Sequence, residues 1–240
     1  MKKYIKIFDI NFIDADFKKI KSILDKGALL VLPSGPGLAT IKNDFRYYKA
    51  LKKADLVLFD SGYFCLLLRY LKNIKVKKFS GFKFLKFFLK EFDKTKKKKL
   101  YLVEPSTQLQ KINKEYLKKK NINNIYQYVA PIYKKSKIYD IKLLKNIKKI
   151  KPKYIIINLG GGTQEILGLY LKQNLNYKPS IICSGAAISF LTNQQAPITN
   201  LFDNLYLSWL VRIFFDPKQF LPRYLSAFKL FFLVLNEKIK

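Results

Sequence analysis

Short apolar runs alternate with helical patterns along most of this 240-residue chain, and this alternation constrains the fold more than any other feature. The strand-like runs lie at residues 28–32, 55–59, 100–103, 125–129, 154–157 and 180–183. Repeated strand–helix units build a sheet of parallel strands with helices on both faces. The sequence therefore predicts an α/β fold, a Rossmann-like, doubly wound and mostly parallel sheet.

Helix signals between the apolar runs favour the same fold. The segment Asp14-Ala15-Asp16 supplies a cap for an amphipathic helix at residues 17–24, which ends before Gly27. Further helical patterns continue from the turn at residues 33–37 as far as Leu51, and occupy residues 63–71 and 82–92. The lysine-rich run at residues 94–99 is typical of a solvated loop.

The pattern changes at Leu201. Two helical stretches rich in basic and aromatic residues follow, and Asp216-Pro217 separates them. They occupy residues 201–215 and 219–236. Because no strand pattern comes after them, we interpret them as an appendage to the sheet. The predicted organisation is an α/β core at residues 1–200 and a basic, aromatic helical appendage at residues 201–240.

Cysteine usage and the start of the chain predict a reducing compartment. Both cysteines, Cys65 and Cys183, lie in apolar context, which indicates buried thiols rather than a disulfide. No stretch reaches the ~20 apolar residues that span a bilayer. The apolar start that a signal peptide needs is interrupted by charged residues, namely Lys6, Asp9, Asp14 and Asp16. We therefore expect a cytoplasmic protein.

The formal net charge of +31 suggests nucleic acid or a membrane surface as a partner, but its source weakens that inference. Almost all of the basic residues are lysines scattered along the chain. Arginine is more informative, because its planar guanidinium binds phosphate through two parallel hydrogen bonds and lysine does not. The only arginines are Arg46, Arg69, Arg212 and Arg223.

Histidine is absent, which removes the commonest general base and every zinc site built on imidazole. Acid–base chemistry must then come from carboxylates, Tyr, Lys or Cys, and a carboxylate at the carboxyl end of a strand is the leading candidate for a general base. Asp60 has this position, because it follows the run at residues 55–59 and precedes Ser61-Gly62. Aspartate near glycine is also common turn chemistry, so a purely structural role stays open.

Three unusual turns lie at the carboxyl ends of predicted strands, where open α/β sheets bind ligands. They occupy residues 33–37, 60–62 and 160–165. The third reads GGGTQE and precedes a helical pattern, which suits a bound phosphate or sugar but also an ordinary strand-to-helix corner. It is not a dinucleotide fingerprint, since G-x-G-x-x-G is missing. We expect the three turns to share one cleft.

Four segments carry a resemblance to a known family. "ADLVLFDSG" ends an apolar run at Asp60 and inserts Ser61 before Gly62, and "IIINLGGGTQE" places Gln164 and Glu165 behind a glycine-rich turn. "SGAAISFLTNQQAP" and "SWLVRIFFDPKQFLPRYL" add Gly185, Ala187, Phe190, Leu191, Ala196, Pro197, Trp209, Arg212, Pro217, Arg223 and Tyr224. In this order and spacing the segments resemble the WecG/TagA/CpsF family of glycosyltransferases, over nearly the whole chain.

The chain departs from the family pattern at several positions and so resembles a divergent member. Leu32-Pro33-Ser34 stands where the family usually has a Thr-x-Asn turn, which leaves Ser34 as a shorter substitute. Glu104-Pro105 replaces a Gly-Gly pair after the mid-chain strand. Ser189 and Ser208 replace an aspartate and a glutamate.

The resemblance implies an inverting transfer of a sugar, typically an N-acetylmannosamine-type unit, from a UDP-sugar to an undecaprenyl-diphosphate-linked saccharide. Such a reaction belongs to the synthesis of cell-surface polysaccharide or a cell-wall polymer. Asp60 would be the catalytic base for the acceptor hydroxyl. The resemblance implies no cofactor and no metal. The donor would be bound by Ser34, Gly160, Gly161, Gly162, Gln164, Glu165 and Gly185.

The tail arginines have two interpretations. Arg212 and Arg223 lie in segments rich in Phe, Leu, Tyr and Trp, which fits an amphipathic helix pair packed on the sheet. The functional alternative puts the apolar faces of these helices in a membrane interface, while the arginines bind the diphosphate of a lipid-linked acceptor. We then expect peripheral attachment to the inner face of the cell membrane, and self-association into an oligomer is compatible with this arrangement.

Two other protein classes stay open. A Rossmann-type nucleotide-binding oxidoreductase would need a glycine fingerprint after its first strand, and the turn at residues 33–37 is a poor version of it. A basic nucleic-acid-binding protein would need its basic and aromatic residues on one face, whereas these are scattered. The expected partners are therefore a UDP-sugar, a polyprenyl-diphosphate-linked acceptor and a membrane surface, and not nucleic acid.

Overall fold

One mixed sheet runs through the part of the chain that this computed structural model describes, residues 3–92, 98–134, 138–196 and 200–239. Its strands are β1 (Lys3–Ile7), β2 (Ile10–Asp14), β3 (Leu29–Val31), β4 (Leu56–Leu58), β5 (Leu100–Glu104), β6 (Ile125–Val129), β7 (Tyr154–Ile157) and β8 (Ser180–Cys183). Their spatial order is β1-β2-β4-β3-β8-β7-β5-β6, and only β1 and β2 pair antiparallel. The predicted α/β, Rossmann-like sheet is confirmed. Residues 94–97 of the lysine run and Pro197 lie outside the described residues.

Helices cover both faces of the sheet. They are α1 (Phe17–Leu24), α2 (Gly35–Leu38), α3 (Phe45–Lys53), α4 (Gly62–Lys72), α5 (Gly81–Glu91), α6 (Thr107–Lys119), α7 (Ile141–Ile150), α8 (Thr163–Asn174), α9 (Ala187–Leu191), α10 (Asn200–Asn204), α11 (Ser208–Phe215), α12 (Pro217–Ala227) and α13 (Lys229–Leu235). Buried side chains of α1, α5, α6 and α9 pack on one face, and those of α2, α3, α4, α7, α8 and α13 on the other. Because both faces are covered, β7 and β8 are buried throughout, and parallel strands in that position are apolar without alternation.

The sequence did not predict the β1–β2 hairpin. Its turn residues, Phe8 and Asp9, both have positive φ, of 52° and 58°, as a two-residue hairpin turn of the primed kind requires. Phe8 is buried and stacks on Phe64 of α4 with ring centroids 6.1 Å apart. The usual Asn-Gly or Asp-Gly signal is missing, so tertiary packing rather than turn propensity fixes this turn.

The helical pattern predicted as far as Leu51 is interrupted, so that prediction is wrong in part. One helix ends at Leu38, and the next begins after Asp44, whose carboxylate accepts a hydrogen bond from the Tyr47 N–H at 3.0 Å. Leu38 and Tyr47 are both buried on the same face of the sheet. The helical spacing of apolar residues therefore continues across the gap between the two helices, and in the sequence only the N-cap residue Asp44 indicates that a new helix begins.

The four tail helices, α10–α13, lie against the sheet domain. Leu230 and Val234 of α13 are fully buried in the same apolar layer as α2 and α4. Near the end of α13, the Phe8 N–H donates to Glu237 Oε1 at 2.8 Å. In the part of the chain that the structure describes, no helix is both long enough and apolar enough to cross a membrane. The predicted domain boundary at residue 200 stays a prediction.

Candidate active site

The three unusual turns follow β3, β4 and β7, and the turn that contains Gly185 follows β8. These four strands are neighbours in the sheet, in the order β4-β3-β8-β7. Parallel strands end at one edge, so these turns come together there and line a cleft of about 250 Å³. The expectation of one shared cleft is thereby confirmed. Its lining includes nearly every residue that the sequence marked: Ser34, Asp60, Gly160, Gly161, Gln164, Glu165, Gly185, Arg212 and Arg223. Of the candidate catalytic, donor-binding and acceptor-binding residues, Gly162 alone is not part of this lining.

Asp60 lies two residues beyond the end of β4 and is half-buried at the base of the cleft. Its Oδ1 accepts a hydrogen bond from the Gly81 N–H at 2.7 Å, and Oδ2 has no partner among the described residues. Burial raises the pKa of Asp60 to about 6, against the opposing effects of the Gly81 amide and of the positive charges of Arg212 and Lys78. At neutral pH the group is therefore an ionised carboxylate with nearly the basicity that a general base needs.

The glycine turn after β7 exposes backbone to the cleft. A Cβ added to Gly160 or Gly161 would meet no atom within 4 Å, so a ligand can approach their backbone closely. Gly162 has φ of +86°, which favours glycine, and its N–H donates to Glu165 Oε2 at 2.7 Å. That amide is thus committed to capping α8, and only the first two glycines of the turn face the open space.

Gln164 and Glu165 are buried and connect the glycine turn after β7 with the turn after β8, which contains Gly185. Gln164 Oε1 accepts from the Gly185 N–H at 2.6 Å, and Gln164 Nε2 donates to Glu165 Oε1 at 2.9 Å. Gly185 has φ of +58°, so the turn after β8 depends on glycine as well. The carboxamide keeps one N–H and one lone pair for a ligand. A direct contact of Gln164 with the donor stays a prediction.

Ser34 begins the opposite wall. Its hydroxyl caps α2 by accepting from the Gly37 N–H at 3.3 Å, and Ser61 in the same way caps α4 by accepting from Phe64 at 3.2 Å. A Cβ on Gly35 would lie only 2.8 Å from Ser61 Oγ, so the turns after β3 and β4 are in close contact. The residue that replaces the family's Thr-x-Asn turn therefore lies at the cleft, and its contact with a sugar stays a prediction.

The tail closes the cleft with arginine and aromatic rings. The Arg212 guanidinium lies 4.6 Å from the Phe190 ring centroid and 6.0 Å from that of Phe220, and Arg223 lies 5.8 Å from Phe220. Arg212 Nε is buried without a hydrogen-bond partner. Among the described residues, neither arginine forms an ion pair with a carboxylate. Both charges are available to an anion in the cleft.

Sequence reasoning missed a second polar cluster at the cleft. Lys78 Nζ and Asp203 Oδ1 form a buried ion pair at 2.8 Å, with each side chain 7% exposed. Ser80 donates to Asp203 Oδ2 at 2.8 Å, and Ser208 donates to Asp203 Oδ1 at 3.1 Å. Lys78 is one lysine among many, so the sequence gives no reason to single it out. Asp203 is a rare carboxylate in a basic tail, and this was the one signal that could have revealed the cluster.

The remaining reactive groups are packed away from the cleft. Cys65 and Cys183 are free and buried, as predicted, and burial raises the pKa of both thiols, that of Cys65 to about 12. The segment Asp14-Ala15-Asp16 has Asp-x-Asp spacing, but Asp16 caps α1 by accepting from Lys19 at 2.8 Å and the segment does not line the cleft. Among the described residues, no three Cys, Asp or Glu side chains form a group that could hold a metal. Metal independence stays a prediction.

A doubly wound sheet with a polar cleft at the carboxyl ends of its central strands defines an α/β protein that binds a ligand at this edge. Over residues 5–240 the chain matches the glycosyl transferase WecG/TagA/CpsF family, and it belongs to that family. It is therefore a glycosyltransferase, which takes a sugar-nucleotide donor and an acceptor. No curated protein sequence is similar enough to count as a match. The resemblance seen in the sequence is confirmed.

Proposed function

We propose that the chain is an inverting glycosyltransferase that moves a sugar, of the N-acetylmannosamine type or a related one, from a UDP-sugar to an undecaprenyl-diphosphate-linked saccharide. The product would enter a cell-surface polysaccharide or a cell-wall polymer. The observation that carries the proposal is the position of Asp60, a cleft carboxylate with one oxygen held by Gly81 and the other open.

In the proposed sugar transfer, the protein itself has to carry out one proton transfer. The acceptor hydroxyl oxygen attacks the anomeric carbon while the bond from that carbon to the UDP oxygen breaks, so UDP leaves with the bonding electrons. The hydroxyl proton passes to Asp60 Oδ2, and attack from the face opposite to the leaving group inverts the anomeric centre. With its pKa raised to about 6 by burial, Asp60 is a stronger base than an ordinary carboxylate and is still ionised at pH 7.

The donor would lie on the glycine wall. Gly160 and Gly161 leave room for a diphosphate against their backbone, at the positive end of the 12-residue helix α8. The Gly162 amide is already bound by Glu165, so we assign Gly162 and Glu165 to the shape of the turn. Gln164 and Gly185 would contact the donor sugar or phosphate from the adjoining turn, and Ser34 from the opposite wall.

The acceptor diphosphate would be bound by Arg212 and Arg223. Neither has a carboxylate partner in the part of the chain that the structure describes, and a buried Arg212 Nε without a partner favours an anionic ligand. The leaving UDP carries the same diphosphate chemistry. Binding measured separately for UDP and for a polyprenyl diphosphate distinguishes the two sources.

Attachment to a membrane surface is supported by the outer side of the tail. α13 buries Leu230 and Val234 in the core, yet Phe232 on another side of this helix is exposed by 62%, and Phe228, the residue just before it, by 64%. Exposed aromatic rings at a helix whose apolar stripe is already buried favour contact with an apolar phase. Further exposed apolar residues of the tail are Phe214, Phe215, Leu221, Leu225 and Leu235, with lysines at 218, 229 and 238.

Thermal unfolding with UDP, NAD or single-stranded DNA, followed by a transfer assay, tests the proposal. We expect UDP alone to raise the melting temperature, and UDP to be released only when a UDP-sugar and a lipid-linked acceptor are both present. Stabilisation by NAD alone would instead identify an oxidoreductase. Stabilisation by DNA alone would identify a nucleic-acid-binding protein.

A further inference from the structure

The first turn of α5 holds two carboxylates from distant parts of the chain. Ser80, its N-cap, donates its hydroxyl to Asp203 of α10, and Gly81, its first residue, donates its N–H to Asp60. Residues 80 and 81 are consecutive, so the tail carboxylate and the proposed base are both bound by adjacent residues at one end of α5. The 2.7 Å and 2.8 Å lengths of these two bonds show that both are well formed.

Lys78 strengthens this connection. Its ammonium binds Asp203 twice, at Oδ1 (2.8 Å) and at the backbone oxygen (2.6 Å), and it lies 5.4 Å from the Tyr206 ring centroid. The Lys78 and Asp203 side chains are both buried, so the pair is shielded from solvent and salt. Removing one partner leaves an uncompensated charge beside the cleft.

We propose that Lys78 and Asp203 are positioning residues, an ion pair that docks the tail onto the first turn of α5 and thereby sets the place and basicity of Asp60. The inference rests on the proposed role of Asp60 as base. It assigns to the tail a second task besides ligand contact: the catalytic carboxylate has its working environment only when Asp203 is docked.

The charges around Asp60 make the proposal testable. Lys78 lowers the pKa of Asp60 and Asp203 raises it, so the two partners act in opposite directions. Arg212 of α11 also lowers it. The other titratable groups that face Asp60 are Tyr47 of α3 and Cys65 of α4, whose own raised pKa values keep both neutral at working pH.

The test compares Asp203→Asn, Lys78→Met and the double variant by the pH dependence of kcat/KM and by carbon NMR titration of the Asp60 carboxyl. Asp203→Asn removes a negative charge and leaves Lys78 unbalanced, so the midpoint near pH 6 should move down by about half a unit or more. Lys78→Met should move it up by a similar amount. In the double variant the shifts should largely cancel.

A general loss of packing cannot produce opposite shifts that cancel. Glu237→Gln is the matched control, because it weakens another bond between tail and core, to Phe8, and should leave the midpoint in place. If the Asp203→Asn and Lys78→Met variants both had the same midpoint as the wild type, the proposal would be overturned. The NMR titration needs no turnover, so it reports on the pair even if Asp60→Asn proves active and the proposed base role fails.

Ser80→Ala provides a second route if a single charge variant does not fold. It removes the hydroxyl that joins α5 to Asp203 without leaving a buried charge. We expect kcat to fall several-fold with UDP binding retained. Ser106→Ala removes an equivalent serine cap, on α6, and should not change kcat. Equal kcat values for wild type and Ser80→Ala would contradict the proposal.

Discussion

The two walls of the cleft are built differently. The sheet wall consists of turns after β7 and β8, where Gln164 and Glu165 are buried and bonded to the backbone of Gly185 and Gly162. The tail wall presents half-buried Arg212 and exposed Arg223, whose guanidinium groups lie near the ring of Phe220. A ligand in the cleft therefore contacts two different surfaces. The sheet wall is already fixed by hydrogen bonds, whereas the tail wall offers arginine charges that have no carboxylate partner within the described ranges of the chain.

Under the proposed function, this difference between the walls matches a division of labour between donor and acceptor binding. A small donor that is the same in every cycle suits a preformed wall, because binding then orders little of the protein. A lipid-linked acceptor that arrives from a membrane surface suits a wall made of long charged and aromatic side chains. Asp60 lies between the two walls, in contact with α5 and within the electric field of the tail.

The largest expected effect is on the residue that both walls share. Asp60→Asn should lower transfer by roughly 10²–10⁴-fold, because the amide accepts no proton while the shape of the side chain is retained. UDP binding, measured by calorimetry, should be unchanged. Turnover near that of the wild type would remove Asp60 from the mechanism.

The pKa of Asp60 also predicts two dependences on pH. In the wild type, kcat/KM should fall below about pH 6 as the carboxylate takes up a proton. Because burial raises this pKa above its ordinary value of 3.8, the folded state holds the proton more tightly and loses stability as pH rises from about 4 to 6. Asp60→Asn should therefore melt at a higher temperature than the wild type at pH 7 but not at pH 3.5. Equal melting temperatures at pH 7 would contradict the raised pKa.

Two substitutions in the sheet wall should separate its stability from its ligand contacts. Gln164→Ala removes the partner of the Gly185 amide, at about 1–3 kcal/mol, together with the hydrogen bond to Glu165, so both stability and donor use should fall. Gly161→Ala adds a methyl group to open cleft space, so the KM for the donor should rise while the melting temperature stays constant. Unchanged donor kinetics in both variants would reduce the glycine turn to a structural corner.

In the tail wall, Arg212→Lys should lower transfer by roughly ten-fold although the charge is kept, since the bidentate geometry and the stacking on Phe190 are lost. Arg46→Lys, on the exposed surface of α3, is the matched control and should have no effect. The KM for the acceptor and that for the donor show which diphosphate Arg212 binds. Full activity of the Arg212→Lys variant would assign the arginine to packing.

The smallest effect on the chemistry is expected outside the cleft. The double variant Phe228→Ser/Phe232→Ser should no longer sediment with anionic liposomes, yet it should use a detergent-dispersed acceptor as well as the wild type does. Ile132→Ser, at a fully exposed residue that follows the edge strand β6, controls for the loss of exposed apolar surface. If the double variant sediments like the wild type, these phenylalanines do not bind membrane. Point substitutions suit this question better than deletion of the tail, because deletion would uncover the core around Leu230 and Val234.

The parallel strands and the turns that follow them were predictable for one reason. Strands buried on both faces are apolar runs of defined length, so β7 and β8 were predicted at the bounds observed. The half-buried edge strand β6 was also predicted at its observed bounds. The polar residues behind such runs must lie at one edge. The hairpin at Phe8 was missed because packing imposes its positive φ values. The ion pair of Lys78 and Asp203 was missed because its members are 125 residues apart and carry no local pattern.

The burial of α13 beside the first hairpin has a consequence for synthesis on the ribosome. Leu230 and Val234 complete an apolar layer that also contains Ile7 and Phe8, and Glu237 bonds to the Phe8 amide. The hairpin emerges from the exit tunnel before the other described elements, but it has no complete core until α13 has followed. Folding of this layer thus waits until α13 has been synthesised, and the nascent chain exposes apolar surface until then. Stalled or shortened chains should be good substrates for chaperones and proteases.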